Sequence, residues 1–364
     1  MSINDVSMSS CVAAALVLLA SGALAASAQA APGVLQRLTL LDAKEVKAIE
    51  RGDAVTVTID APEKTEVATL GVVRLEVPRS FYVDHVKELG GFLAIGAKSE
   101  SGSFSEPARL EDVASLTLDP SDVKALQKCR PLKCDVKLPA REMEQFRTVL
   151  TGTHDSLPLA DSLMREWLVS YVNAYRADSA DETVVYDDTK RPVRSSEVFR
   201  ALLAESMPAG MDSAPFVSML AARGARPSSV TSRISWELDR MPGLKPTLEV
   251  VERSILVPSA HADQSWMSKK LLYASHYFES AVEYLTVADA PSPAGEGASY
   301  LIVVRRQKFD DLPSGGLFNI RGKAVKKLRE SLRTTLASTR AEIAIAFAAS
   351  RAHSQAPLPP ASRR

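Results

Sequence analysis

The sequence lacks the motifs by which many enzymes and nucleotide-binding proteins are recognised. It contains no G-x-S-x-G nucleophile elbow, no H-E-x-x-H helix, no phosphate-binding P-loop and no haem-attachment motif. The segment Gly295-Glu-Gly297 lacks the third glycine of a dinucleotide-binding fingerprint. These absences favour a protein without catalytic activity, and we predict no cofactor, no metal site and no catalytic residue.

The chain also lacks an excess of either charge and is poor in aromatic residues. Basic and acidic residues number 44 each, and aromatic residues make up 6% of the 364 positions. Neutralising a phosphate backbone requires a basic excess, and gripping single strands requires aromatic side chains on which bases stack. We therefore expect no nucleic-acid partner.

A single apolar run, Val12 to Leu24, stands near the N-terminus. Small residues follow it up to Ala28-Gln29-Ala30, which is the A-x-A pattern of a signal-peptide cleavage site. The run is too short to cross a bilayer, which takes about 20 residues. The segment before it carries Asp5 and no basic residue, so an uncleaved anchor is the alternative. We predict a signal peptide over residues 1–30, cleaved after Ala30, and a periplasmic or secreted protein.

Cysteine is scarce, with three residues in the whole chain. Cys11 falls within the predicted signal peptide, which leaves the pair Cys129 and Cys134. An even pair in an oxidising compartment indicates a disulfide. The alternatives are a redox pair, which usually has two intervening residues rather than four, and a metal site, for which no second Cys or His pair is present. We predict a structural disulfide.

The hydrophobic periodicity predicts a mixed α/β chain in one domain over residues 31–349, followed by a disordered tail at 350–364. A mostly helical stretch at about 100–245 includes a predicted helix over residues 229–240. A long last helix, ending near residue 349, carries a clear apolar stripe. The predicted strands cover residues 54–59, 67–77, 248–257, 266–278, 281–287 and 300–306.

This order of elements resembles the START-like helix-grip domains. The resemblance implies an α+β fold, in which an antiparallel sheet grips a long C-terminal helix, with a large helical insertion at about 100–245. Two local motifs, Cys129-Arg-Pro-Leu-Lys-Cys-Asp-Val-Lys-Leu-Pro139 and Tyr273-Ala-Ser-His-Tyr-Phe278, are similar to motifs in a family of uncharacterised exported bacterial proteins. That second resemblance covers most of the mature chain and implies no activity.

His276 and Phe278 are candidate ligand-binding residues on one predicted strand. They share a face of that strand, because side chains alternate. A neutral imidazole that points into a cavity acts as a base, a proton shuttle or a ligand donor. The ordinary alternative is a core histidine bonded to a backbone carbonyl.

Arg305 is the third candidate ligand-binding residue. Arg305 and Arg306 end a predicted strand, so one of them faces inward and needs a carboxylate or an anionic ligand. Asp310 and Asp311 are the carboxylates nearest in sequence.

The last helix begins with a basic segment. Cations near a helix N-terminus oppose the helix dipole, so a surface that carries them is a candidate contact for anionic lipid headgroups. A solvated polar face is the ordinary alternative. The residues of this segment are Arg321, Lys323, Lys326 and Lys327.

These observations leave three hypotheses of function. The leading one is a non-enzymatic binder of an apolar small molecule or lipid, held between the sheet and the last helix. The second is a structural or interaction protein of the cell envelope that docks through residues 100–245. The third is an enzyme that uses His276 as an acid or base, because one fold supports several functions.

Overall fold

The computed structural model describes residues 33–89, 93, 100–177, 184–205, 214–221, 228–240, 244–256, 264–291, 297–312 and 320–354. The predicted signal peptide, the Gly295 loop and the tail beyond residue 354 lie outside the described residues.

The described residues form one large antiparallel sheet of eight strands in the order β1-β2-β10-β9-β8-β7-β6-β3, together with a separate two-stranded hairpin, β4-β5. The strands are β1 Val55–Ile59, β2 Glu66–Leu75, β3 Glu100–Ser103, β4 Val185–Tyr186, β5 Val193–Arg194, β6 Val230–Asp239, β7 Thr247–Leu256, β8 Gln264–Ala274, β9 Phe278–Ala290 and β10 Ala298–Phe309.

Helices flank the sheet and fill the long segment between β3 and β6. They are α1 Val34–Arg37, α2 Ala43–Glu50, α3 Arg79–Leu89, α4 Pro120–Leu126, α5 Ala140–Leu150, α6 Ser156–Arg176, α7 Ser195–Ala204, α8 Ala214–Ala221 and α9 Ile320–Ser354, with a 3-10 turn at Leu110–Val113. The predicted α+β class, with an antiparallel sheet and a long C-terminal helix packed on it, is confirmed.

Helix α9 lies directly against β1 and β2. Its apolar stripe buries Leu332, Leu336 and Ile343, as a helical period of 3.6 residues requires. Gly71 of β2 permits the close approach, since a Cβ there would stand 2.7 Å from Leu336 Cδ1 and 2.8 Å from Leu332 Cδ2. Helix and sheet are therefore in van der Waals contact along this line.

Both faces of the sheet are covered. Helices α3 and α9 share one apolar cluster with β2, β10, β9, β8 and β7. Helices α1, α2, α7 and α8 form another cluster with β2, β9 and β10. At the far end of the sheet, the core around α4, α5 and α6 includes Trp236, Leu272 and Tyr273, and Tyr171 of α6 donates a hydrogen bond to the Leu272 carbonyl at 2.9 Å.

Two predictions about element boundaries, at residues 229–240 and at the C-terminal tail, are wrong. Residues 229–240 do not form a helix but contribute β6, whose apolar side chains Ile234, Trp236 and Leu238 alternate and are buried. The stretch at 100–245, predicted to be mostly helical, contains helices α4 to α8 and also gives β3 and β6 to the main sheet. The C-terminal helix also continues to Ser354, so residues 350–354 are not part of a disordered tail.

Candidate functional site

His276 does not lie in the middle of a strand. The predicted strand 266–278 is divided by a tight turn, because β8 ends at Ala274 and β9 begins at Phe278. Tyr277 adopts φ +64°, a conformation that a bulky residue takes only when its surroundings hold it there. The Phe278 N–H donates to the His276 carbonyl at 2.7 Å, and the Asp310 N–H donates to the Tyr277 carbonyl at 2.9 Å. His276 is thus presented at the sheet end by a turn.

The two sequence motifs meet at this turn. The Lys137 N–H donates to the Ser275 carbonyl at 2.9 Å, and His276 Nε2 lies 3.0 Å from Asp122 Oδ2. The Lys137 ammonium pairs with Asp310 and lies 3.9 Å from Asp188 Oδ2. We call this group the closed junction; its members are Asp122, Lys137, Asp188, His276 and Asp310.

The closed junction is sealed from solvent at its centre. The side chains of His276 and Asp122 are 5% and 6% exposed, and that of Lys137 is 4% exposed. Burial raises the pKa of Asp188, although the charge of Lys137 opposes the shift. A histidine paired with an aspartate has the components of an acid–base dyad, but both side chains are almost fully buried, so they expose little surface to a substrate. The dyad links α4 to the β8–β9 turn.

The predicted disulfide between Cys129 and Cys134 is present, with the two Cα atoms 4.6 Å apart. It closes a two-residue turn in which Arg130 and Lys133 exchange backbone hydrogen bonds of 3.1 and 2.9 Å. The turn is also fixed to the β4 end, because the Leu132 and Cys134 N–H groups donate to the carbonyls of Asp187 and Asp188.

The three candidate ligand-binding residues are not brought together. Phe278 is buried against Phe309, with ring centroids 4.8 Å apart, and the same two residues are register partners. Arg305 faces Glu283 in that register, four positions away, which is about 13 Å along a strand. His276 lies beyond the strand end. The structure therefore offers no single site that contains all three.

Arg305 and Arg306 point to opposite faces of the sheet. Arg306 is the fully buried one, and its Nη1 donates to Glu66 Oε1 at 2.7 Å. Arg305 pairs with Glu283 and remains 20% exposed. The sequence suggested Asp310 or Asp311 as the partners, but the carboxylates that face the two arginines come from neighbouring strands.

Arg305 belongs to a line of charged side chains that crosses the sheet face occupied by α3 and α9. In register, Arg305 stands opposite Glu283, Glu283 opposite Lys269, and Lys269 opposite Arg253. Glu237 of β6 and Glu249 of β7, themselves opposite each other, continue the line. We call these six residues the charged row. Sequence reasoning missed the row, although charges at alternate positions of otherwise apolar strands were its visible signal.

Glu237 and Glu249 are in contrasting electrostatic states. Glu237 accepts a hydrogen bond from Lys269 Nζ at 2.8 Å and pairs with Arg253. Burial opposes its ionisation, but the charges of those two cations lower the pKa of Glu237 to about 2. Lys269 Nζ lies 3.8 Å from Glu249 Oε2, outside hydrogen-bond range. Burial therefore dominates there and, with the negative charge of Glu237, raises the pKa of Glu249 to about 7.

A second polar feature is a cleft of about 510 Å³ between the first turns of α9 and the edge strand β1. Three cations and one carboxylate lie along its helical side, and β1 supplies the opposite wall. Arg329 spans the cleft and donates through Nη2 to the Thr56 carbonyl. The lining residues are Ala54, Val55, Thr56, Gly322, Val325, Lys326, Arg329, Glu330 and Arg333.

Neither a protein-family model nor a curated protein matches this sequence. The family resemblance of the two motifs therefore stays a prediction.

The basic segment of the last helix is divided between different environments. Lys326 lines the cleft, whereas Lys323 and Lys327 lie on the exposed helix surface. Arg321 donates from Nε to the Lys64 carbonyl at 2.9 Å and from Nη2 to the Glu66 carbonyl at 3.3 Å, and so fastens the helix to the β1–β2 loop. The four residues thus do not form one uniform surface.

Two further findings apply to the described part of the chain. None of its helices combines the length and the apolar character that crossing a bilayer requires. Its His, Cys, Asp and Glu side chains do not assemble into a group of three that would hold a metal ion.

Proposed function

We propose that this chain is a non-enzymatic, exported binding protein for an anionic amphiphile, a lipid-like molecule whose acidic head occupies the cleft between α9 and β1. The observation that carries the proposal is the lining of the cleft. Lys326, Arg329 and Arg333 face a single acid, Glu330, while Ala54, Val55 and Val325 supply apolar surface.

The charges of the cleft suit an anionic group. Three cations against one carboxylate leave a local excess of about two positive charges, and a hydrogen bond to a charged group contributes about 1.5–3 kcal/mol. The volume of about 510 Å³ falls within the range of small-molecule sites. The apolar wall is small, so it accommodates the start of an acyl chain rather than a whole lipid.

The position of the cleft agrees with a ligand held beneath the last helix. Leu332 and Leu336 fill the space over Gly71 of β2, so a ligand finds no room at that point and is displaced towards the sheet edge at β1. The disulfide is compatible with an oxidising compartment. Together with the A-x-A pattern, it supports export to the periplasm or the exterior.

Titration calorimetry tests the proposal. The probes are dioctanoyl phosphatidic acid and dioctanoyl phosphatidylcholine, each below its critical micelle concentration. We expect the intact protein to bind the acidic lipid at least about tenfold more tightly than the neutral one, a difference of 1.4 kcal/mol. Failure to bind the acidic lipid would overturn the proposal.

Two double variants with equal charge change separate the cleft from the general surface of α9. Replacing Lys326 and Arg333 by Gln is expected to weaken phosphatidic acid binding about tenfold or more. Replacing Lys323 and Lys327 by Gln, outside the cleft, is expected to leave it within about twofold, because screened surface charges contribute little. Equal losses in both would indicate a diffuse electrostatic surface and contradict a cleft site.

A further inference from the structure

The charged row carries an unused hydrogen-bonding group at each end. Arg305 donates a hydrogen bond from Nε to Glu283. Its two Nη nitrogens make no hydrogen bond to any described residue. The Glu249 carboxylate accepts no hydrogen bond within the described part of the chain, and its nearest cation is Lys269 at 3.8 Å. The guanidinium of Arg305 thus keeps unused hydrogen-bond donors, and the carboxylate of Glu249 keeps unused acceptors, on the same face of the sheet.

The charges between these two ends satisfy one another. Glu237 receives both Lys269 and Arg253, and Arg253 also donates to Ser235 Oγ. Adjacent strands fix the backbone of each of these residues, so they form a rigid floor that a ligand does not need to reorganise.

The two end groups are partly exposed and mostly surrounded by protein, an environment that we call the recess. The Arg305 and Glu249 side chains keep 20% and 13% exposure, and that of Lys269 between them keeps 29%. Burial is nevertheless the largest influence on the pKa of Glu249 and raises it. Glu249 therefore reaches solvent on one side, and protein surrounds it on most others. Tyr82 of α3, itself buried, is close enough to Glu283 to feel its charge.

Because Arg305 keeps unused N–H donors and Glu249 keeps unused acceptor oxygens, a ligand with one charge would satisfy the hydrogen-bonding groups at only one end of the row. An anion at Arg305 would leave the ionised carboxylate of Glu249 desolvated and unpaired, and a cation at Glu249 would leave the Arg305 nitrogens unused. We infer that the charged row is a binding site for a small zwitterion, whose acidic group pairs with Arg305 and whose ammonium group pairs with Glu249. This site goes beyond the proposed function and is separate from the cleft.

The sheet geometry limits the length of such a ligand. Three strand spacings of about 4.8 Å separate β10 from β7, and Glu249 lies four residues along β7 from Arg253, the residue in line with Arg305. The backbones at Arg305 and Glu249 therefore stand about 20 Å apart. Long side chains at both ends shorten the gap that a ligand must bridge. We therefore expect a flexible chain of several carbons between the two charged groups to bind best.

A series of ω-amino acids provides the probes. Calorimetry at pH 8, where Glu249 is mostly ionised, would compare 4-aminobutanoate, 6-aminohexanoate and 8-aminooctanoate with hexanoate and hexylamine. We expect one chain length to bind best and both singly charged molecules to bind at least about tenfold more weakly than that zwitterion. No binding across the series, or equal binding of singly and doubly charged molecules, would overturn the inference.

Variants assign the two ends. Glu249→Gln should weaken the best zwitterion about tenfold or more and leave hexanoate binding unchanged, since the side chain makes no hydrogen bond that folding depends on. The paired change Arg305→Gln with Glu283→Gln, which leaves no lone buried charge, should weaken both molecules. Glu144→Gln, at an exposed position on α5, is the matched control.

The variant in which Gln replaces Lys326 and Arg333 distinguishes binding in the cleft from binding at the charged row. It should bind the zwitterion as the unaltered protein does. If zwitterion binding were lost in this variant but kept in Glu249→Gln, the ligand would be in the cleft and the inference about the charged row would be wrong. Thermal unfolding of each variant shows that a loss of binding is not a loss of fold.

Discussion

The closed junction and the charged row are built from the same types of residue but differ in access to solvent. In the closed junction, the side chains of His276, Asp122 and Lys137 are almost fully buried, and each lies against a partner of opposite or complementary charge. In the charged row, Lys269 and Arg305 keep a fifth or more of their side chains exposed. The central side chains of the closed junction are inside the protein, with Asp310 at its exposed edge, whereas the charged row reaches solvent along its length.

This difference in access explains the difference in pairing. A charge that is sealed inside a protein must be matched by the protein itself, because an unpaired buried charge costs several kcal/mol. Lys137 accordingly has two carboxylates within reach. Glu249 lacks a hydrogen-bond donor among the described residues, and it tolerates this because solvent reaches it. The lesson is that unmatched polar groups mark ligand sites where solvent has access, whereas matched and sealed ones mark structure.

The largest expected effect is at the closed junction. Lys137→Met removes a cation that pairs with both Asp188 and Asp310, and leaving the buried carboxylate of Asp188 unpaired costs about 3–5 kcal/mol. Urea unfolding at pH 7 measures the loss. Lys133→Met, an exposed change in the same motif, is the control and should alter the free energy of unfolding by less than about 0.5 kcal/mol. If Lys137→Met lowered the free energy of unfolding by less than about 1 kcal/mol, the closed junction would not depend on matched buried charges, and it would not differ in this way from the charged row.

A somewhat smaller and pH-dependent effect is expected at the charged row. The pKa of Glu249 is raised from 4.5 to about 7 in the folded protein, so the folded state holds this proton more tightly than the unfolded chain. Stability from this group therefore falls as pH rises through about 4.5 to 7, by about 3 kcal/mol in all. Burial is the main cause of the raised pKa; the negative charges of Glu237 and Asp239 add to it, whereas the positive charges of Lys269 and Arg253 oppose it.

The glutamine side chain in Glu249→Gln cannot ionise, so this variant lacks the pH dependence of stability that Glu249 causes. Its free energy of unfolding should match that of the unaltered protein near pH 4 and exceed it by up to about 3 kcal/mol above pH 7. Denaturant unfolding of both proteins at several pH values gives the difference directly. Parallel stability curves would show that Glu249 is not desolvated, and would weaken the case for a recess.

Much of the fold was predictable because its signals are local. The stripe of α9 and the apolar strands β7, β9 and β10 appear as periodicities in the sequence, and the disulfide follows from a lone pair of cysteines. The strand β6 was misjudged because Glu237, Asp239 and Arg240 suit a helix surface. Pairing with β7 and β3 decides its conformation, and neighbouring strands override weak intrinsic preference.

The candidate sites depend on contacts between residues far apart in sequence. Asp122 and His276 are separated by 154 positions, and no local pattern indicates their contact. The turn at Tyr277 contains neither Gly nor Pro, so apolar residues on both sides concealed it. The charged row requires the register of five strands, from β10 to β6, which the sequence does not specify. Arg305 is a candidate binding residue from the sequence because a charge at the end of an apolar strand is a local signal, and its binding role stays a prediction.

The smallest expected effect is at the disulfide, which tests whether the closed junction supports itself. Replacing Cys129 and Cys134 by Ser opens a loop with a sequence separation of five residues, and the chain-entropy relation gives a loss of about 2 kcal/mol for so short a loop. The turn keeps its hydrogen bonds to Asp187 and Asp188, so its conformation should persist. Urea unfolding of the double variant gives the loss, and calorimetry with 6-aminohexanoate should show an unchanged affinity for the charged row. A stability loss well above that of Lys137→Met would mean that the covalent link, rather than the ion pairs, holds the closed junction together.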